Sequence, residues 1–266
     1  MIPRQVVLIS PLGERKGVRF AYRVTLEDGR TVKARHFGSE AAARRALELQ
    51  AGLDEAFVPA VAQDGPVLVE QWIEGVPLSD LDAAARIDEA GDLLGRLHCT
   101  PLGMLDPLVT ATRRWREAAE SDLALLGGTS GLAARDVEAL RTEIARRDPG
   151  EAPTVLIHKD FCIENMLIDR HGRLRIIDNE QLEIAPAGFD LGRTFHRWPM
   201  ADAMWVRFLR AYRASAPADP GAMGFWKIVA SLETTRVLLQ RQPARLEASL
   251  ALLRRFADGH CLTDLA

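Results

Sequence analysis

The chain has 266 residues, 47% hydrophobic and 27% charged, with a formal net charge of −3. Those proportions describe a globular protein able to bury a substantial core, as one large domain or as two lobes, and the slight acidic balance offers no footing for a nucleic-acid partner. Cys99, Cys162 and Cys261 are odd in number, far apart and without a CxxC pair, which argues against a disulfide framework and a structural zinc site.

The opening MIPRQVVLIS contains only the apolar run VVLI, too short for a secretory segment. No later stretch approaches the roughly 20 apolar residues of a spanning helix, so a cytosolic location with no membrane partner is expected. QVVLIS, VRFAYRVTL and TVKARHF then read as strands, and the DG of the intervening EDGR marks a hairpin. SEAAARRALELQAGL is rich in Ala and Leu and begins with Ser39, a helix with its cap. PVLVEQWIEG reads as another strand, ending at Gly75.

From Ser79 onward apolar residues recur every three or four positions, through SDLDAAARIDEAGDLLGRLH, PLVTATRRWREAAESDLALL and LAARDVEALRTEIARR. Strand signals return only between Thr154 and Ile177, as TVLIH, NMLID and RLRIID, after which helical patterns run to the end. The predicted class is α+β: a small β-rich lobe with its connecting strand over residues 1–75, and a larger, mainly helical lobe over 76–266 holding a short β insert. Two such lobes would meet at a cleft, the usual place for a ligand.

The polar cluster HKDFCIENMLID, residues 158–169, falls between two of these short strands. Asp160 and Asn165 share that loop, and Asp178 follows one strand later in LRIIDNE. A carboxylate can orient and deprotonate an attacking hydroxyl, while a second carboxylate with an amide oxygen can hold Mg²⁺ on nucleotide phosphates. Phosphoryl transfer needs that set, because its catalysis is mostly positioning and charge neutralisation. Either piece alone would serve equally well as a strand-end cap; the ordered combination points to chemistry.

On these residues the chain resembles the aminoglycoside phosphotransferase and choline kinase family, relatives of the protein kinases. HKDFCIENMLI matches the H-x-D-x-x-x-x-N catalytic loop, LRIIDNE matches the strand ending in a metal-binding Asp, and GFDLGRTFHRW (188–198) resembles the segment that follows, with Asp190 as a structural Asp. The resemblance implies a two-lobed, protein-kinase-like fold that uses ATP and Mg²⁺ to phosphorylate a hydroxyl of a small molecule. It implies that Asp160 is the catalytic base, that His158 braces its loop, and that Asn165 and Asp178 bind the metal. Lys33 of TVKAR would hold the α- and β-phosphates, paired with a Glu on the following helix, Glu48 or alternatively Glu40. The Gln71 carbonyl and the Ile73 amide would meet the adenine. PLGERKGVRFAY would cover the phosphates, with Gly13 and Gly17 relieving the backbone, although it contains no GxGxxG. Two positions depart from the pattern: Lys159 stands where a small residue is usual, and Glu180 adds an acid two residues after Asp178.

For the acceptor, eleven basic residues stand against four acids between Arg193 and Phe256, which disfavours a polycationic aminoglycoside. Trp198, Trp205, Tyr212, Phe225 and Trp226 concentrate in the same region, either as a cage for a quaternary ammonium group or as helical core. The acceptor classes are thus a choline-like amino alcohol, a sugar-containing antibiotic or another small metabolite. The rival readings are a nucleotide-binding scaffold without activity and a protein kinase; the absence of DFG and APE counts against the second.

Overall fold

The computed structural model describes residues 6–12, 20–102, 110–129, 131–217 and 219–260. Residues 13–19, and with them Gly13, Gly17 and the expected phosphate-covering turn, lie outside the described residues. In chain order the elements begin with strands β1 (Val6–Pro11), β2 (Phe20–Leu26) and β3 (Thr31–His36), then helix α1 (Glu40–Gln50). Strands β4 (Ala60–Asp64), β5 (Val67–Gln71) and β6 (Gly75–Pro77) follow, then α2 (Asp80–Ala85) and α3 (Ile87–His98). After β7 (Thr110–Ala111) come α4 (Arg113–Thr129), α5 (Ala134–Arg147), β8 (Glu151–Ala152), β9 (Thr154–Ile157), β10 (Met166–Asp169), β11 (Leu174–Ile176) and β12 (Glu183–Pro186). The chain finishes with α6 (Ala187–Arg197), α7 (Asp202–Ser215), α8 (Met223–Arg241) and α9 (Leu246–Ala257).

These elements group into two compact units, residues 1–85 with 163–183 and residues 86–162 with 184–266. The grouping differs from a single division at residue 75, and strand pairing is the reason. β10 runs antiparallel to β6, Leu167 opposite Pro77 and Ile168 opposite Val76, so the β10–β11 hairpin belongs with the N-terminal residues. Around it the Val58 amide donates to the Ile176 carbonyl at 2.9 Å, and the Asn179 side-chain amide donates to the Val58 carbonyl at 2.8 Å.

The first unit is built on a five-stranded antiparallel sheet in the order β1-β2-β3-β5-β4. Gly29 makes the β2–β3 turn at φ 81, a left-handed conformation that costs glycine nothing, and Asp28 accepts from the Arg30 amide across it. Ser39 caps α1 by accepting from the Ala42 amide at 3.2 Å, as Ser at a helix start is expected to do. Ala43, Ala46, Leu49 and Gln50 form the buried face of that helix, and Ala43 and Ala46 join Phe37 and Leu68 in the unit's core.

The second unit is helical. α3 packs on α7 and α6 on α8 at distances that only glycine permits: a Cβ on Gly91 would lie 2.3 Å from the Phe208 carbonyl oxygen, and one on Gly192 would lie 2.4 Å from that of Trp226. Trp115 meets Trp226 edge to face at 5.8 Å, and around them Leu123, Leu140, Phe225, Leu253 and Phe256 complete the core. Trp198, Trp205, Tyr212, Phe225 and Trp226 are all buried, so these rings are packing residues and do not form a cage. Among the described residues no helix is long and apolar enough to cross a membrane.

His196 ties three of these helices together. Its Nδ1 lies 3.0 Å from the Ser231 hydroxyl on α8, and its Nε2 lies 3.1 Å from the Ser249 hydroxyl on α9. Burial, with the charges of Arg193, Arg197 and Arg245, pushes the ring from its ordinary 6.5 down to about 4. The unfolded chain therefore takes up this proton at a higher pH than the folded one, and stability must rise with pH between about 4 and 6.5. Acidification through that window should cost up to about 1.4 kcal/mol per pH unit from this group. His196→Gln is expected to remove that part of the slope, read from unfolding midpoints across the pH range.

Candidate active site

Alternation along β3 places Lys33 and Arg35 on one face of the sheet, and the β3–β5 register sets Glu70 directly opposite Lys33. The Lys33 ammonium lies 3.4 Å from Glu70 Oε2 and donates to Asp178 Oδ1. Arg35 donates from Nη2 to the same Asp178 oxygen at 3.0 Å and from Nη1 to Glu180 Oε1 at 2.8 Å. Its Nε sits 3.8 Å from Glu70 Oε2. Two cations thus meet three carboxylates in one largely buried cluster.

Asp178 reaches the cluster by turning the chain. It adopts φ 62 and ψ 47 immediately before the 3₁₀ turn at Asn179–Gln181, a left-handed conformation that Asp tolerates better than bulkier residues. The turn brings Glu180 inward, where burial pushes its carboxyl up to about 7 against the pull of Arg35, with Asp178 adding to the rise. Glu180 Oε2 is buried and has no hydrogen-bond partner among the described residues. Asn165 is also buried, and the Ile177 amide donates to its carbonyl at 2.9 Å, which links Asn165 to the residue before Asp178.

The expected partner of Lys33 was a Glu of α1, and the structure corrects this to Glu70. Glu48 points outward from α1, 57% exposed and 4.0 Å from Arg45, and Glu40 pairs with Arg44 at 2.6 Å. The reason is helical phase: the inward stripe of α1 is Ala43, Ala46 and Gln50, with Leu49 beside it, and Glu48 lies off that stripe.

A cavity of about 420 Å³ in this unit is lined by Lys33, Arg35, Glu70 and Asp178 of the charged cluster and by Val58, Met166, Leu167 and Ile177, together with the chain from Gln71 to Gly75. The Gln71 amide is already engaged by the Pro59 carbonyl at 3.1 Å, which leaves its carbonyl as the group to offer a ligand. Trp72–Glu74, Ile73 included, lie between β5 and β6, outside both strands. Trp72 stiffens this connection by donating to Glu74 at 2.8 Å while the Arg23 guanidinium covers its ring at 4.7 Å. Apolar walls, strand-free backbone and a charged cluster suit a flat heterocycle carrying phosphates.

In the second unit the loop at 158–160 is held by one face of α6. Asp190, fully buried, accepts from the His158 amide and the Lys159 amide, each at 2.7 Å. It also faces His98 Nε2 at 3.2 Å, while His98 Nδ1 lies 2.8 Å from the Tyr212 hydroxyl. Burial would raise the Asp190 carboxyl, but the hydrogen bond and charge of His98, with His158, hold it below its ordinary value. One turn on, Arg193 Nε donates to the Lys159 carbonyl at 2.5 Å; one turn further, Arg197 Nε lies 3.2 Å from Asp160 Oδ1. His158 is wholly buried, edge to face with Phe161 at 5.9 Å.

The i, i+3, i+7 spacing of Asp190, Arg193 and Arg197 is the signal that could have exposed the two arginines. The i, i+2 spacing of Lys33 and Arg35 could likewise have exposed Arg35. Nothing in the sequence marks Glu70 or His98, which enter through tertiary pairing.

Clamping of 158–159 also explains the unusual Lys159. It sits at φ 67, where a side chain is strained, and its amide and carbonyl are both held by α6. Lys159→Gly should raise stability by up to about 1 kcal/mol, measured by chemical denaturation, because glycine adopts that conformation freely. Glu70→Gln should weaken the affinity of this cavity for a phosphate-bearing ligand about tenfold, near 1.4 kcal/mol, whereas Glu48→Gln leaves it unchanged in the same titration.

The fold recurs in solved structures. Macrolide 2'-phosphotransferase MphH from Brachybacterium faecium, as the apoenzyme, superposes with a TM-score of 0.63 at 19% identity, covering 92% of this chain and 91% of its own. Choline kinase LicA from Streptococcus pneumoniae gives 0.63 at 18% identity, covering 94% of each chain, and LicA is also known in complex with AMP. A thermostable mutant of aminoglycoside phosphotransferase APH(4)-Ia gives 0.70 at 15% identity, covering 97% of this chain and 96% of its own. Identities this low establish the kinase-like α+β fold and leave the acceptor open. No curated protein matches by sequence. The model of the phosphotransferase enzyme family, however, matches residues 14–226, well over half of the chain, and the protein belongs to that family.

Proposed function

We propose that the protein transfers the γ-phosphate of ATP to a hydroxyl group of a small molecule. The observation that carries this reading is the cluster of Lys33, Arg35, Glu70 and Asp178, with Glu180 behind it on Arg35, on the wall of a cavity bordered by the 71–75 backbone. The Gln71 carbonyl and the Ile73 amide would hold the adenine edge, and Val58, Met166 and Leu167 its faces. Lys33, steadied by Glu70, would bind the phosphates as a point charge.

The residues present also fit a divalent metal ion. Asp178 and Asn165 supply hard oxygen donors, and the orphaned Glu180 Oε2 adds an acceptor in the same cluster. Among the described residues no three His, Cys, Asp or Glu side chains gather to hold a metal, so such a site would take its remaining ligands from phosphate oxygens and water. A Mg²⁺ ion held by Asp178 and Asn165 would supply charge neutralisation for the transfer.

In the reaction, the acceptor oxygen forms a bond to the γ-phosphorus as the bond from that phosphorus to the β,γ-bridging oxygen breaks. ADP leaves with the electron pair, and the hydroxyl proton passes to Asp160. Asp190 and Arg193 fix the backbone from which Asp160 projects, and Arg197 Nε lies 3.2 Å from its Oδ1. Asp160→Asn should keep nucleotide affinity and lose on the order of 10²- to 10⁴-fold in turnover, measured as acceptor-dependent ADP release. Turnover at the wild-type rate in that variant would remove Asp160 from its role.

A further inference from the structure

A second cavity, of about 580 Å³, opens in the helical unit. It is bounded by the C-terminal end of α6, the 199–202 connection, α8 and the 244–255 stretch that includes α9. Its size falls in the range that holds a small metabolite. Three arginines, Arg197, Arg245 and Arg255, line it against one acid, Asp202. His196 adds no positive charge near neutral pH, since its ring is held near 4 by burial and by the surrounding arginines. Arg255 makes no ion pair with any described residue. Arg197 joins this cavity to the chemistry, since its Nε lies 3.2 Å from Asp160 Oδ1. The rest of the lining mixes apolar groups such as Leu238 and Leu252 with the hydroxyls of Thr234 and Ser249.

A polycationic acceptor entering here would meet like charge with one carboxylate to offset it, and none of the buried tryptophans lines the cavity as a cage would require. Guanidinium groups recognise carboxylates and phosphates, with planar forks matched to paired oxygens. We infer that this cavity binds the acceptor, and that the acceptor carries an anionic group, a carboxylate or a phosphate ester, which Arg245 and Arg255 hold while its hydroxyl approaches Asp160. The inference rests on the phosphotransferase reading above and names the substrate class for it.

The test is isothermal titration of the full chain with four probes on one hexose skeleton: gluconate, glucose 6-phosphate, glucose and glucosamine, each followed by ADP release from Mg·ATP. At least one of the two anions should bind about tenfold or more tightly than glucose and glucosamine, and the tighter one distinguishes a carboxylate from a phosphate ester. The double charge reversal Arg245→Glu, Arg255→Glu should abolish that preference and leave ATP affinity unchanged; both arginines are exposed, so the fold tolerates the change. Failure of both anions to bind, tighter binding of glucosamine, or an anion affinity untouched by the charge reversal would overturn the inference. ADP release separates the two readings. Release that prefers glucosamine keeps the transferase and rejects the anionic acceptor, whereas charge-dependent anion binding without release keeps the anion site and counts against transfer.

Discussion

Everything proposed for this protein depends on the opposition of Lys33 and Arg35 to Glu70, Asp178 and Glu180. Burying charges is expensive, and an ion pair in a protein interior is weak evidence of stability, because desolvation consumes most of the Coulombic gain. This cluster has one carboxylate in excess of its cations, and Glu180 Oε2 is left without a partner. Such an arrangement is poor as a staple and good as a receptor. Its cations can re-pair with phosphate oxygens, and its surplus carboxylate can accept a positive ion. Strand register makes the pairing possible, since a slip of one residue between β3 and β5 would turn Lys33 or Glu70 to the other face of the sheet.

The helical unit solves a different problem with a similar economy. A short loop has to hold one carboxylate in place, and α6 does so from a single face, with Asp190 on two backbone amides, Arg193 on a carbonyl and Arg197 on Asp160 itself. The arrangement holds Lys159 in a left-handed conformation and buries a carboxylate completely, costs that the hydrogen bonds to Asp190 offset. Close helix contacts at Gly91 and Gly192 keep α3 and α6 seated on their partners, which in turn holds His98 and Asp190 within reach of each other.

Much of this was legible in the residues, and the boundary of legibility follows a physical line. The spacing of His158, Asp160, Asn165 and Asp178, the strand carrying Lys33 and the capped helix after it are local patterns, and local patterns survive reading from one sequence. Glu70 was missed because strand pairing selects it, and a β-rich stretch offers no period that names its cross-strand neighbour. Glu48 sits in a helix that the sequence marks, but helical phase turns it outward. The β10–β11 hairpin follows the helices in sequence, while its hydrogen bonds go to β6 and to 56–58. The concentration of aromatic residues between Trp198 and Trp226 was ambiguous between cage and core. Burial of all five rings resolves it as core.

The charge cluster of β3, β5 and the turn after β11 is proposed as a receptor for a metal-bound nucleotide. Its most direct test is the affinity for ATP measured with and without Mg²⁺, in the wild-type chain and in Asp178→Ala. Mg²⁺ is expected to strengthen binding by about tenfold or more in the wild type and to have no effect in the variant. Equal affinities with and without Mg²⁺ in the wild type, or a Mg²⁺ effect that survives the loss of Asp178, would contradict it.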